Sequence, residues 1–218
     1  MTNRIVDISQ QKAAIVVGIA MIISAILAFI VDDFILPNFI RPGDTAALAN
    51  DIKANEMLFG IAVAVYLIIL MCDVSIALGL YVILKPANKN LASLTAVLRV
   101  LYVAFAVISI FALVFQFIDV YSYETIKLIG YVFFPCHLFV TGYSVFKSGY
   151  IPRVLGVLLI VASFCYVIFY VNFLVPEALL LIIMLYMAVG EISLDIWLLL
   201  KNAKIHEMIE EKMNTSEE

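Results

Sequence analysis

The chain has 218 residues, of which 65% are hydrophobic and 14% are charged. Because a soluble domain carries about 25% charged residues, this composition excludes an ordinary soluble protein and makes the lipid bilayer the main expected partner. The net charge of −4 comes without any basic stripe, which argues against nucleic acid as a partner.

The apolar residues are arranged in six long runs, which is the pattern of membrane-spanning helices. The predicted spans are 13–33, 57–84, 91–118, 127–146, 153–174 and 178–200. The first run is longer than the apolar region of a usual signal peptide and ends without a cleavage motif, so we expect a retained helix. The sequence therefore predicts an all-α fold, a six-span transmembrane helix bundle formed by residues 1–201.

Two polar segments stand outside the predicted spans. In the segment 34–56, a turn at Pro42-Gly43 is followed by Asp44, which can cap a short helix over 44–56 on the outer side of the membrane. Residues 202–218 are predicted to be a polar cytoplasmic tail, whose first part, to about Met213, continues the sixth span as a helix.

Lysine and arginine are distributed unequally between the two sides of the predicted bundle. With a cytoplasmic N-terminus, the inner segments hold nine of these residues and the outer segments hold three, which are Arg41, Lys53 and Lys127. This bias predicts that both termini are cytoplasmic. The second, fourth and sixth spans then run parallel, from the outside to the inside.

Four ionisable residues lie within the spans at nearly one depth, namely Asp73, Arg99, His137 and Glu191. Each is ten to twelve residues from a lysine at the cytoplasmic end of its helix. At about 1.5 Å per residue, this places them roughly 15–18 Å from the inner edge, near the middle of a ~30 Å hydrocarbon layer. Since charge at this depth is costly, we expect these side chains to face the bundle interior as a structural network or as a binding site.

Arg99 is the expected hub of this network, because its guanidinium can bridge Asp73 and Glu191. Asp195 lies four residues after Glu191 on the same helix face, closer to the inner edge, where it could meet water. The charges of Asp73, Arg99, Glu191 and Asp195 sum to −2 when His137 is neutral. A protonated His137 brings the sum to −1. A residual negative charge favours a protonated carboxyl group or a bound cation.

Pro135 interrupts the fourth span two residues before His137. A proline inside a helix removes one hydrogen bond and frees a carbonyl one turn earlier, near Tyr131. Two interpretations follow. Either this stretch forms the polar wall of a pocket, or the proline serves packing and His137 is satisfied by Asp73 or a backbone carbonyl.

Several short motifs together resemble a bacterial family of multi-pass membrane proteins called domain of unknown function 4386. The motifs are Pro42-Gly43-Asp44, Cys72-Asp73, Leu84-Lys85-Pro86-Ala87-Asn88-Lys89-Asn90-Leu91, Arg99, Phe133-Phe134 before His137, Gly142-Tyr143, Lys147-Ser148-Gly149-Tyr150-Ile151-Pro152-Arg153-Val154-Leu155-Gly156, and Gly190-Glu191 with Trp197. Asp195 lies outside this pattern. The resemblance implies a protein of the bacterial inner (plasma) membrane and adds no mechanism.

Three functions remain open at this point. The first is binding or transport of a small molecule, ion or proton at Asp73, Arg99, His137, Glu191 and Asp195, because transporter sites lie at this depth. The second is a structural or accessory subunit in which these charges lock the helices together. The third is a metal-dependent enzyme with Asp73, His137 and Glu191 as ligands, against which the nearby Arg99 counts.

No serine triad, phosphate loop, dinucleotide fingerprint or haem-attachment motif is found in the sequence. No residue is therefore predicted to be catalytic, no cofactor is assigned and no oligomeric state is predicted.

Overall fold

The structure is a computed structural model, and it describes residues 2–39, 47–115, 120–171 and 175–215. These residues form eight α-helices and no strand: α1 (Thr2–Ile30), α2 (Ala47–Ala54), α3 (Glu56–Leu84), α4 (Lys89–Val114), α5 (Val120–Ser148), α6 (Arg153–Val171), α7 (Glu177–Lys201) and α8 (Ile205–Asn214). A π-helical turn (Val31–Ile35) and a short 3-10 turn (Leu36–Asn38) continue α1, and another 3-10 turn (Asn202–Lys204) joins α7 to α8.

Six of the described helices are long and apolar enough to cross a membrane, which confirms the predicted multi-pass all-α fold. They are Gln10–Ile30, Glu56–Leu84, Lys89–Val114, Thr125–Ser148, Arg153–Val171 and Ala178–Lys201. The third and fifth spans were predicted to end at residues 118 and 174. Residues 116–119 and 172–174 lie outside the described residues, and the described helices end at Val114 and Val171.

The six spans contact one another in a ring, in the order α1, α3, α4, α5, α6, α7, and α7 closes on α1. The half of this ring nearest the two chain termini is filled by an apolar core, to which Ile76, Leu80, Leu138, Leu194 and Leu198 contribute fully buried side chains. Burying such side chains stabilises the bundle by removing gaps between the helices, since lipid itself is as apolar as leucine.

Helices α5 and α6 approach most closely where two glycines face each other. A Cβ atom added to Gly156 would lie 2.6 Å from the carbonyl oxygen of Gly142, and one added to Gly142 would lie 2.7 Å from that of Gly156. Small residues allow backbones to come together in this way, which is how membrane helices gain packing contacts.

The Lys147–Gly156 motif contains the turn between α5 and α6. Gly149 has φ of +76°, a conformation that favours glycine, and the Ser148 hydroxyl accepts a hydrogen bond from the Ile151 N–H. The buried Tyr150 hydroxyl donates to the Ile83 carbonyl of α3 at 2.6 Å, and burial raises the pKa of this phenol. The motif therefore fastens the α5–α6 turn to the end of α3.

The two polar segments differ in detail from their predictions. The outer helix spans Ala47–Ala54 and is separated from α3 by Asn55, while the predicted cap Asp44 lies outside the described residues. The sixth span ends at Lys201 instead of continuing straight towards Met213. The chain then continues as α8, which is amphipathic and buries Ile205 and Ile209 against the bundle, so that these two residues belong to the apolar core.

We predict that Gly156→Ala destabilises the bundle by about 1–3 kcal/mol, because the new methyl group must push α5 and α6 apart. The matched control is Gly60→Ala on α3, where an added Cβ meets nothing within 4 Å. That variant should be neutral or more stable by up to about 1 kcal/mol, since alanine favours the helix. Thermal unfolding of both purified variants measures the difference, and equal melting temperatures would contradict the close approach.

Candidate functional site

Asp73 of α3 and Arg99 of α4 form a buried ion pair near the middle of their two helices. Arg99 Nη2 lies 2.6 Å and Nε 3.1 Å from the same oxygen, Asp73 Oδ1. Two charge-assisted hydrogen bonds of this kind hold both side chains in one arrangement and join the two helices. Arg99 therefore pairs with Asp73, one of the two carboxylates that it was predicted to bridge, whereas the other, Glu191, accepts a hydrogen bond from Tyr166.

His137 of α5 completes this group. Its Nε2 lies 3.1 Å from Arg99 Nη1, and its Nδ1 lies 2.8 Å from the Thr95 carbonyl oxygen. Because a guanidinium only donates hydrogen bonds, Nε2 must accept, and Nδ1 must carry the proton that it donates to Thr95. This geometry requires a neutral imidazole, so the group Asp73–Arg99–His137 carries no net charge.

Pro135 lies inside α5, which continues as one helix to Ser148. Tyr131 and Phe134, on the turn before it, line the central cavity described below, whereas His137 is fully buried behind it. Both interpretations from the sequence therefore hold in part, since the stretch forms a cavity wall and a backbone carbonyl satisfies His137.

Glu191 and Asp195 of α7 form the second part of the polar layer. Glu191 Oε1 accepts a hydrogen bond of 2.5 Å from the Tyr166 hydroxyl of α6. Asp195 is only 3% exposed, so the water contact predicted for it at the inner edge is wrong. Its Oδ1 is buried and has no hydrogen-bond partner among the described residues.

A cavity of about 420 Å³ lies at the centre of the ring, and all six spans contribute to its lining. Its ionisable lining residues are Asp32, Asp73, Arg99, Glu191 and Asp195. The apolar core lies at the end of the cavity nearest the chain termini, and Asp32 lies in the π-helical turn that follows the opposite end of α1. The cavity therefore extends from the middle of the ring towards the end away from the termini.

Aromatic rings cover much of the cavity wall. Tyr131 and Tyr170 stack with ring centroids 4.3 Å apart, and Tyr166 packs edge-on against Phe134 at 5.0 Å. The Arg99 guanidinium lies 5.7 Å from the centre of the Phe134 ring. These contacts link the buried ion pair to the outer part of the cavity through a continuous series of rings.

The sequence pattern did not assign these aromatic residues to the site. The missed aromatic lining residues include Tyr66, Tyr102, Tyr166 and Tyr170, and the carboxylate of Asp32 was missed as well. Helical spacing contains a signal for some of them, because Tyr102 is three residues after Arg99 and Tyr166 and Tyr170 are four apart, so that each pair shares one helix face.

The geometry does not assemble the metal site that was one alternative. Both ring nitrogens of His137 are engaged, by Arg99 and by Thr95, and Arg99 pairs with Asp73. Within the described parts of the chain, no group of three histidine, cysteine, aspartate or glutamate side chains is placed to share an ion.

A ring of six apolar helices around a polar mid-membrane layer defines a multi-pass integral membrane protein. The model of the family domain of unknown function 4386 matches residues 16–118 and 112–202, and the chain belongs to this family. An uncharacterized protein of Archaeoglobus fulgidus is similar, with 34% identity over 147 residues that cover 67% of this chain and 86% of that protein. No solved structure matches the chain.

We predict that Arg99→Met lowers stability by about 3–5 kcal/mol, because it leaves Asp73 as a buried charge without its cation. The double variant Asp73→Leu/Arg99→Met should recover most of this loss, since it removes both charges. Arg153→Met, at an exposed position at the start of α6, serves as the control and should change little. Thermal unfolding in detergent checks this order, and a double variant no more stable than Arg99→Met would contradict it.

Proposed function

We propose that the central cavity binds a small organic cation, with Glu191 and Asp195 as its charged contacts. The observation that carries this proposal is the Asp195 carboxyl group, which is buried, lines the cavity and has an oxygen without a hydrogen-bond partner. A buried polar atom of this kind is destabilising unless something satisfies it. A ligand with positive charge or N–H groups would do so.

The charges around the cavity favour a cation over an anion. Arg99 is the one cation among the described lining residues, and the Asp73 carboxylate already neutralises it. Glu191 receives only a neutral phenol hydrogen bond from Tyr166. The carboxyl groups of Glu191 and Asp195, one helical turn apart, therefore have no ion-pair partner among the described residues, and a cation between them would be attracted in a region of low dielectric constant.

The aromatic lining favours an organic cation over a metal ion. Calcium and magnesium ions require six or more oxygen ligands, often including water, whereas the walls near Glu191 and Asp195 consist largely of rings and methionines such as Met187. The faces of tyrosine and phenylalanine rings attract alkylammonium groups through cation–π interactions. A volume of about 420 Å³ is also within the usual range for small-molecule sites.

The structural interpretation of the buried charges applies to one part of the layer. Asp73, Arg99 and His137 are fully engaged with one another and with Thr95, so their role in the proposal is to hold α3, α4 and α5 together beside the site. The binding role falls to Glu191 and Asp195 on α7. Neither role requires the protein to be an enzyme.

The proposal places the protein in the bacterial inner membrane with both termini in the cytoplasm, following the excess of lysine and arginine in the inner segments. In this orientation the ligand reaches the cavity from the outer side. Transport would require a second conformation in which Leu194 and Leu198 of α7 move away from the rest of the apolar core. Binding alone requires no second conformation.

The test is isothermal titration calorimetry, in which benzyltrimethylammonium is titrated into the protein in lipid nanodiscs. The heat measured with empty nanodiscs is subtracted. We expect Glu191→Gln and Asp195→Asn each to weaken binding at least tenfold, or about 1.4 kcal/mol, while the melting temperature does not fall. Glu211→Gln removes the same charge from an exposed position on α8 and should bind like the wild type.

Two results would overturn the proposal. One is an equal affinity of the wild type and both cavity variants. The other is equally tight binding of neopentylbenzene, the neutral molecule of the same shape, because the site would then recognise apolar surface and not charge.

A further inference from the structure

The exposed lining residues of the cavity are confined to one side of the ring. They lie on α1 and the turn that follows it, and on α7, and they include Phe29 (59% exposed) and Met184 (46% exposed) together with the small residues Ala25 and Ala188. The described lining residues of α3, α4, α5 and α6 are buried or half-buried. The cavity is therefore least enclosed between α1 and α7.

The same pair of helices is tightly closed towards the cytoplasm. A Cβ atom added to Gly18 of α1 would lie 2.5 Å from the Leu199 side chain and 3.2 Å from the Asp195 carbonyl oxygen. The turn after α7 and helix α8 also contact α1 at this end. The α1–α7 seam is thus packed near the cytoplasm and opens further out.

The exposed residues on the two helices stand at one level. Ala25 is fifteen residues from Gln10, where the first span begins, and Ala188 is thirteen residues from Lys201. At about 1.5 Å per residue, both lie roughly 20 Å from the cytoplasmic edge, in the outer half of a ~30 Å hydrocarbon layer. The opening therefore faces the acyl chains of the outer leaflet. We call it the α1–α7 portal, defined by Ala25, Phe29, Met184 and Ala188.

We propose that the α1–α7 portal admits a single-chain alkylammonium amphiphile from the outer leaflet, whose cationic head binds at Glu191 and Asp195 while its alkyl chain remains in lipid. This inference rests on the proposed cation site and names the class of its ligand. Because the α1–α7 portal is open to lipid, the cationic head group can move into the cavity while its alkyl chain stays between α1 and α7.

The chemistry along this path fits the two parts of such a molecule. The portal presents apolar side chains, including Met184, whose flexible thioether adapts to a passing chain. The interior presents the tyrosine faces and then the carboxyl groups of α7. By rise along α7, Glu191 is about 5 Å deeper than Ala188, so the head and the first methylenes of the chain span the distance between site and portal.

Photolabelling in nanodiscs tests the portal directly, with dodecyltrimethylammonium that carries a diazirine in the middle of its chain. We expect labels on Phe29 and Met184 that an excess of benzyltrimethylammonium removes, and that are at least tenfold weaker in Asp195→Asn. Leu181 and Leu185 of α7 are exposed to lipid but do not line the cavity, so any label on them should resist competition.

The outcomes separate failure of the portal from failure of the cation site. Competed labels on Tyr131 or Tyr170 in place of Phe29 and Met184 would overturn the portal but leave the cation site, since the whole ligand would then lie inside. Labels that resist competition, together with no binding of benzyltrimethylammonium, would overturn both proposals.

A substitution provides the second measurement. Ala188→Trp should weaken binding of dodecyltrimethylammonium at least tenfold by filling the portal, whereas Leu185→Trp, one turn away, should leave it unchanged. Benzyltrimethylammonium titration checks that each variant retains the site. Unchanged binding of the long-chain cation to Ala188→Trp would count against the portal.

Discussion

The ion pair between Asp73 and Arg99 is the interaction on which the rest of the polar layer depends. Lone carboxylate and guanidinium groups at this depth would each be unfavourable by about 2.5–3.5 kcal/mol, and their pairing at 2.6 Å removes much of that penalty. The Asp73 carboxylate also balances the positive charge of Arg99. His137 accepts a further hydrogen bond from Arg99 as a neutral imidazole, so the carboxyl groups of α7 form no ion pair with Arg99.

The ring divides into two halves with different roles. In the half nearest the chain termini, leucine and isoleucine side chains fill the space between the helices, and the α5–α6 turn is tied to α3 through Tyr150. In the other half, aromatic rings line the wall but leave the centre open. The close packing of the apolar core fixes the position of α7 at this end of the cavity, and so holds Glu191 and Asp195 in place.

The parts of this structure that follow from local pattern could be predicted from the sequence. Span number follows from apolar length, and the common depth of Asp73, Arg99, His137 and Glu191 follows from helical rise. The partners could not be predicted, because they depend on the rotation of each helix about its axis. Depth alone allowed Arg99 to bridge Asp73 and Glu191, whereas in the structure Tyr166 donates the hydrogen bond that Glu191 accepts.

Asp195 shows why distance along a helix is a weak guide to solvent access. It is six residues from Lys201, a distance that would bring it close to water on an isolated helix. Here α8 packs on this end of the bundle through Ile205 and Ile209, and α1 packs against the Asp195 backbone at Gly18, so that route is closed. The Asp195 carboxyl group therefore faces the cavity. A substitution at Asp195 changes the lining of the cavity and not the surface at this end of the bundle.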